Sequence, residues 1–244
     1  MFSDEDINKA MKDYQNNPED GLYIEDFENN SLTPVGYDLR VGEEGFSWKK
    51  KRIIPIKQEG KIQIEANDTV VIRTLESLSI SKKVSATIHS IVSKVIPKGL
   101  SDISTTIDPG WTGKLLISVH NNRDSSTELS FGERLCTVCF YKVGLESKKN
   151  RGTSENRDDL WEQVREKARE EEERIKNANN QEENKRKAEN ANRERLLIFL
   201  IIVVSVGAIA ASSINPTAGS SIAAFLAVIA PVVYDKFLKP IPKP

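Results

Sequence analysis

The chain has 244 residues, which is enough for one sizeable domain with appended segments. Its 35 basic and 36 acidic residues nearly cancel, so the formal net charge of -1 gives no indication of a nucleic-acid partner. With only two cysteines, Cys136 and Cys139, a disulfide framework is excluded.

The first predicted element is an N-terminal helix. The run Ser3-Asp4-Glu5-Asp6 offers a capping hydroxyl followed by early acidic residues. Ile7, Ala10 and Met11 then follow at helical spacing. We therefore predict an N-capped amphipathic helix.

Residues 1–143 are predicted to form a mainly β head. Many strands at regular spacing, with little helix between them, indicate an antiparallel sandwich or barrel. Cys136 and Cys139 lie three apart in one strand, where they point to opposite faces. We therefore expect both to pack in the core rather than to bind zinc or form a redox pair. The apolar or alternating runs that predict strands are residues 61–64, 69–72, 84–88, 114–119 and 135–140.

A polar linker (144–155) and a charged helical stalk (156–195) are predicted next. The stalk is rich in Glu, Lys, Arg, Asn and Ala and has no Gly or Pro, so its 40 residues would form a helix of roughly 60 Å. The pattern fits either a solvated single helix with intrahelical ion pairs or a weak coiled coil. A weak apolar stripe is formed by Leu160, Trp161, Val164, Ala168 and Ile175.

Two apolar runs after the stalk are predicted to cross a membrane. Residues 196–214 are 19 uncharged residues, and residues 218–234 are another 17 after an Asn215-Pro216-Thr217 turn. The alternative is a helical hairpin buried in a soluble core, but no other segment could cover it. Basic residues flank both runs and the turn has none, so the positive-inside rule places the head and both termini in the cytoplasm.

Five segments of the head share the motifs of one family, in the same order, over about residues 3–142. They are Ser3 to Ala10, similar to the family's N-terminus; Leu32 to Gly42 (LTPVGYDLRVG), similar to L-x-P-x-S-Y-D-L-R-L-G; Thr74 to Leu78 (TLESL), similar to T-L-E-x-V; Ile107 to Gly113 (IDPGWTG), similar to I-D-P-G-W-x-G; and Ser130 to Leu135 (SFGERL), similar to P-G-x-R-I. On these segments the head resembles the dCTP deaminase/dUTPase family.

The resemblance implies a distorted β-barrel or jelly-roll subunit that forms a homotrimer. In the family, nucleotide sites lie between subunits and bind deoxyuridine or deoxycytidine triphosphate with Mg²⁺, so a metal is expected only through the nucleotide. Asp108 matches the dUTPase aspartate that orients the attacking water, which makes it the candidate catalytic residue. The resemblance and the residues around its motifs give these candidate nucleotide-binding residues: Asp38, Ser93, Lys94, Trp111, Ser118 and Asn121.

The sequence departs from the family at two places in the implied site. The arginine motif that binds phosphate, R-S-S-x-A-R or R-S-G, is replaced by Ile91-Val92-Ser93, so the guanidinium fork is lost and only Ser93, Lys94 and Lys98 remain. Ser118 stands where deaminases have their catalytic glutamate, and its hydroxyl cannot move protons as a tuned carboxylate does. Deamination by the family mechanism is therefore not expected.

The two histidines give no further site. His89 and His120 lie apart from each other and in different contexts from the cysteines, so no metal-binding cluster is predicted. Both are expected at the surface or at strand ends, although His120 could hydrogen-bond a base.

Three functions remain open from the sequence. The head could be a membrane-anchored nucleotide-binding or assembly module with weak or no catalysis, because the scaffold is kept and the site is altered. It could be an active dUTPase-like hydrolase or dCTP deaminase at the membrane, using Asp108 with Lys94 and Lys98 on the phosphates. It could also gate a membrane effector, because trimerisation would gather three hairpins whose small residues allow close packing. The alternative to this third function is that the hairpin only anchors the protein in the membrane.

Overall fold

The computed structural model describes residues 1–146, 148–149 and 155–214, with the backbone alone for residue 208 and residues 210–214. Its backbone contacts divide the chain into two compact units, Met1–Glu173 and Arg174–Pro244. The first unit therefore contains the predicted head and also the beginning of the predicted stalk.

The predicted N-terminal helix is confirmed as α1 (Asp4–Asn16). The Ser3 hydroxyl accepts the Asp6 backbone N–H at 3.2 Å, and the Asp6 carboxylate accepts the Ser3 backbone N–H at 3.0 Å. This capping box satisfies two donors that the start of a helix otherwise leaves without partners. Ile7 and Ala10 are buried against the head.

The mainly β prediction for the head is confirmed, and each predicted run lies in a strand. Two short helices, α2 (Ile56–Glu59) and α3 (Val92–Lys98), interrupt the strands. The strands are β1 (Leu22–Glu25), β2 (Leu32–Thr33), β3 (Gly36–Ser47), β4 (Arg52–Ile54), β5 (Lys61–Ile64), β6 (Thr69–Ile80), β7 (Val84–Ser90), β8 (Leu100–Asp102), β9 (Thr106–Ile107), β10 (Thr112–Asn121), β11 (Thr127–Ser130) and β12 (Arg134–Lys142).

The strands form one large antiparallel sheet in the order β8-β10-β6-β3-β12-β7-β9. β1 pairs with β6, both β2 and β4 pair with β3, and β5 and β11 form a separate two-stranded sheet. Alternate residues along β6 and β10 are buried, and one apolar core joins the inward residues of the large sheet to α1 and the small sheet. The period of two along these strands therefore defines the face that the core buries.

Both cysteines are buried and unbridged, as the sequence predicts. Cys136 points into the apolar core, whereas Cys139 lies on the other face of β12. Burial raises the pKa of both thiols, so both are protonated at neutral pH.

The predicted stalk is confirmed as part of one helix, α4 (Asp158–Ile214). Within the described part of the chain, no helix is both long and apolar enough to cross a membrane, whereas the sequence predicted a span at 196–214. The second predicted span, 218–234, lies outside the described residues, as does part of the predicted linker.

Candidate functional site

A buried ion pair joins two of the matched motifs. The Arg40 Nε lies 2.6 Å from the Glu76 Oε1, and the Arg40 backbone N–H donates to Oε2 at 2.8 Å. The Glu76 side chain is fully buried. The remaining guanidinium nitrogens donate to the Glu28 carboxylate at 2.5 Å and to the Asp26 carbonyl at 2.6 Å. Every nitrogen of Arg40 is therefore used inside the protomer.

The charges of this cluster shift two pKa values. Burial by itself lowers the pKa of Arg40, but the hydrogen bond and charge of Glu76 outweigh it, so the pKa of Arg40 is raised. Burial raises the pKa of the Tyr37 phenol, and the charge of Glu76 adds to the shift. Arg40 is therefore firmly cationic, and Tyr37 is a neutral hydrogen-bonding group. The motif residues Tyr37, Arg40 and Glu76 hold β3 to β6.

The turn that contains Asp108 and Trp111 connects β9 to β10. The Gly110 N–H donates to the Ser81 carbonyl at 3.2 Å, and the Ile80 N–H donates to the Trp111 carbonyl at 2.9 Å. The Trp111 indole N–H donates to the Gly113 carbonyl at 3.0 Å. These bonds fix the turn against the connection between β6 and β7. Asp108 is partly buried there.

The α3 helix occupies the place of the arginine motif. Ser93 is exposed on it and Lys94 is partly buried. The Lys98 ammonium lies 2.6 and 2.8 Å from the two Glu133 oxygens and 2.9 Å from the Glu128 carbonyl. Its positive charge is therefore already balanced by a carboxylate.

Asn121 and Ser118 lie on β10, and the Asn121 side chain makes hydrogen bonds to the backbone of neighbouring segments. Its side-chain nitrogen lies 2.9–3.1 Å from the carbonyls of Ile64, Glu65 and Ser125, and its oxygen accepts the Arg123 N–H at 3.0 Å. With both amide atoms engaged and the side chain fully buried, Asn121 joins β10 to the end of β5. Ser118 is partly buried in the strand interior.

Asp38 lies within the sheet, near the strand that carries His89. It is buried on β3, where its carboxylate accepts the Thr137 hydroxyl at 2.6 Å. Thr137 is in turn opposite His89 on β7, whose Nε2 lies 2.8 Å from the Thr87 hydroxyl. His120 similarly lies 2.9 Å from the Thr69 hydroxyl. Both histidines therefore bond to threonines of the sheet.

The sequence model of the dCTP deaminase-like family matches residues 1–143. The chain belongs to the dCTP deaminase-like family. It is 34% identical over 122 residues to the dCTP deaminase of Pyrococcus furiosus, covering 50% of this chain and 76% of that protein. It is 32% identical over 122 residues to the dCTP deaminase of Thermococcus kodakarensis, and the match covers 50% of this chain and 77% of that protein.

Solved structures give more distant likenesses. The dCTP deaminase from Agrobacterium tumefaciens has a TM-score of 0.47 at 17% identity, covering 58% of this chain and 47% of that chain. The EIAV dUTPase has a TM-score of 0.38 at 18% identity, and the match covers 53% of this chain and 94% of that chain.

In this dCTP deaminase-like head, the predicted site residues fall at two opposite ends of the sheet. The turn with Asp108 and Trp111 lies beside the beginning of β7, whereas α3, with Ser93 and Lys94, follows the end of β7. Seven strand residues separate the two ends by roughly 20 Å. The β10 residues Ser118 and Asn121 lie toward α3, because β8, which follows α3, pairs with that end of β10. One protomer therefore does not gather these residues into one pocket.

Three contacts of the dCTP deaminase-like head were missed by sequence reasoning. Glu133 neutralises Lys98, Thr74 accepts the Leu115 N–H at 2.9 Å, and Asn156 accepts the Lys114 N–H at 2.7 Å. Each pair is distant in sequence, so spacing gave no signal. Among the described residues, no group of three or more His, Cys, Asp or Glu side chains is arranged to hold a metal ion.

Proposed function

We propose that the head is a nucleotide-binding and assembly module that binds a deoxypyrimidine nucleoside triphosphate and turns it over weakly or not at all. Nucleotide binding is supported by membership of the dCTP deaminase-like family. The observation that supports weak or absent turnover is the state of Lys98. It is the cation at the end of α3, which replaces the arginine motif, and Glu133 already holds it through both carboxylate oxygens. A triphosphate would have to displace an internal ion pair there, and Ser118 offers no carboxylate for deamination.

The proposed assembly is a homotrimer with sites between protomers. It is supported by the two groups of candidate residues at opposite ends of the sheet, which a neighbouring protomer would bring together. It is also supported by apolar side chains left exposed on α3 and just after β8, with exposed fractions of 63% for Val92, 70% for Ile96 and 63% for Ile103. Mg²⁺ would accompany the phosphates of the nucleotide, and no protein ligand is assigned to it.

Binding and assembly can be measured on the same sample. Equilibrium dialysis of the full chain in mild detergent, with dUTP and dCTP in Mg²⁺, is expected to show saturable binding of one of them at one site per protomer. Native mass measurement is expected to give three chains per particle. Saturation without a trimer would refute the intersubunit site, and no binding of either nucleotide would refute the module.

The second candidate is an active hydrolase that uses Asp108. It is favoured by the hydrogen bonds that fix the 108–113 turn, because a positioned carboxylate can orient a water molecule. In that case Asp108→Asn would abolish turnover while the head still folds. Turnover that survived Asp108→Asn would exclude this mechanism.

We further propose that the end of α4 attaches the protein to a membrane, with the head on the cytoplasmic side. The support is an uncharged run from residue 196 whose side chains include Phe199, Ile201 and Ile209 at 65%, 64% and 72% exposure. Arg193 and Arg195 precede the run, as expected for a cytoplasmic flank. A passive anchor and a head-gated effector both fit this placement.

Vesicle flotation tests the attachment. The full chain is expected to float with phosphatidylcholine vesicles, and a chain ending at residue 195 is expected to stay at the bottom of the gradient. A full chain that stays at the bottom would refute the attachment. Dye leakage that appears only with dUTP or dCTP would favour the effector over the anchor.

A further inference from the structure

The start of α4 is joined to the strand that follows the Asp108 turn. The Asn156 Oδ1 accepts the Lys114 backbone N–H at 2.7 Å. Gly113 has φ +120°, and a Cβ placed on it would lie 2.3 Å from the Asn156 backbone nitrogen, so only glycine allows this approach. Asn156 has φ +56°, a conformation that asparagine adopts more readily than most residues.

The Lys114 amide is available to Asn156 because the ladder between β10 and β6 breaks there. Lys114 pairs with Ser77 and Leu116 with Arg73, so Thr74, Leu75 and Glu76 lie opposite the single residue Leu115. Two successive amides at the break donate to side chains, one to Asn156 and the other to Thr74. The break thus needs an acceptor from the segment that leads into α4.

The contacts of Asn156 lead directly into the turn. Gly113, which touches Asn156, also accepts the indole N–H of Trp111 at 3.0 Å. On the other side of the break, the Thr74 hydroxyl donates to the Glu76 carbonyl at 2.8 Å, next to the buried pair with Arg40. Asn156 is therefore linked to the turn through Gly113, and to the buried ion pair through Lys114, Leu115 and Thr74.

The residues after Asn156 are docked on the outer face of the sheet. Trp161 is 2% exposed and, with Ala168, packs against Phe46. The Arg73 guanidinium lies 5.4 Å from the centre of the Trp161 ring and 3.3 Å from the Asp158 carboxylate. Residues 156–168 are named the docking segment below. Its apolar and charged contacts lie within the first compact unit.

We propose that Asn156 is a positioning residue for the 108–113 turn. The proposal has a second half: attachment of the docking segment to the sheet strengthens nucleotide binding at that turn, and nucleotide binding strengthens the attachment. The second half rests on the proposed nucleotide-binding function. Its physical basis is that one acceptor, Asn156, holds both the start of α4 and the strand end that bears the turn. A ligand that orders the turn must then stabilise the docked helix, and the docked helix must raise the affinity by the same factor.

Hydrogen–deuterium exchange of the full chain in mild detergent, without nucleotide, tests the positioning role. Asn156→Gly keeps the positive φ but removes the acceptor, and it is expected to speed exchange at the amides of residues 110–113 at least about fivefold. Asn156→Asp keeps the acceptor and is expected to exchange at the wild-type rate. The control Asn179→Gly, at an exposed position of α4, is expected to leave the turn unchanged.

The same measurement can overturn the proposal. Wild-type exchange at residues 110–113 in a folded Asn156→Gly protein would refute it. If Asn156→Gly does not fold, Trp161→Ala undocks the same segment without changing Asn156, and an unchanged turn in that variant would refute it equally.

The same exchange and binding measurements with nucleotide present separate the coupling from the proposed function. With dUTP or dCTP and Mg²⁺ bound, the amides of residues 158–168 are expected to gain protection, and Asn156→Gly is expected to bind at least about fivefold more weakly than Asn156→Asp. Binding without either effect would overturn the coupling and leave the proposed function standing. If neither nucleotide binds, the proposed function fails, and the nucleotide-free exchange still decides whether Asn156 positions the turn.

Discussion

Arg40→Ala is expected to lower the free energy of unfolding of the head by about 3–5 kcal/mol, because it leaves the fully buried Glu76 carboxylate without its partner. For a unit of this size the melting temperature should fall by about 10 °C. Thermal unfolding followed by tryptophan fluorescence measures the shift.

Two further variants make the Arg40 result specific. Lys61→Ala breaks an exposed pair with Glu128 and is expected to change the free energy of unfolding by less than about 1 kcal/mol. The double variant Arg40→Met with Glu76→Leu removes both charges and is expected to recover most of the loss. Equal small effects of Arg40→Ala and Lys61→Ala would contradict the buried ion pair.

Trp161→Ala is expected to release the docking segment from the sheet. Removing a buried tryptophan costs about 3–5 kcal/mol, and the contact with the Arg73 guanidinium is lost as well. If the rate of tryptic cleavage follows the population of the undocked helix, cutting after Arg165 should be accelerated at least about a hundredfold. Cleavage after Lys185, an exposed site in the second unit, serves as the internal reference and should not change.

Two matched substitutions control the Trp161 experiment. Trp161→Phe keeps an aromatic ring and removes an indole N–H that has no acceptor among the described residues, so cleavage should stay near the wild-type rate. Leu160→Ala, at the more exposed neighbouring position, should also have little effect. Wild-type cleavage in Trp161→Ala would show that α4 is not held by this side chain.

The strands and α1 were predictable because their signals are local. Apolar or alternating runs marked the strands that include β6 and β10, and the Ser3-to-Asp6 run marked the start of α1. The separation of Cys136 and Cys139 to opposite faces followed from the same period of two.

The docking of α4 could not be predicted, because an apolar stripe shows which face of a helix is buried but not what covers that face. Trp161, Val164 and Ala168 were expected to face solvent or another helix, and in the structure they pack against the outer face of the head. The head offers Phe46 and Val71 there, but nothing in local spacing relates those residues to the stalk. The single-helix and coiled-coil interpretations did not consider this contact.

The site was predicted by motif, and the structure adds contacts that the motifs do not reveal. Asn121 is predicted to bind nucleotide, and its amide nitrogen bridges three backbone carbonyls. Lys98 was a candidate for phosphate, and it is paired with Glu133. Both depend on partners brought close only by the sheet, so sequence spacing could not reveal them.

Turnover of dUTP and dCTP by the full chain decides whether the head is a binding module or an enzyme. Pyrophosphate and ammonia should be quantified over hours at saturating nucleotide with Mg²⁺, beside a dCTP deaminase from Pyrococcus furiosus as the active reference. We predict bound nucleotide and release of either product far below the ordinary enzymatic range of about 1–10³ s⁻¹. Release within that range, lost in Asp108→Asn, would refute the binding module and establish an enzyme.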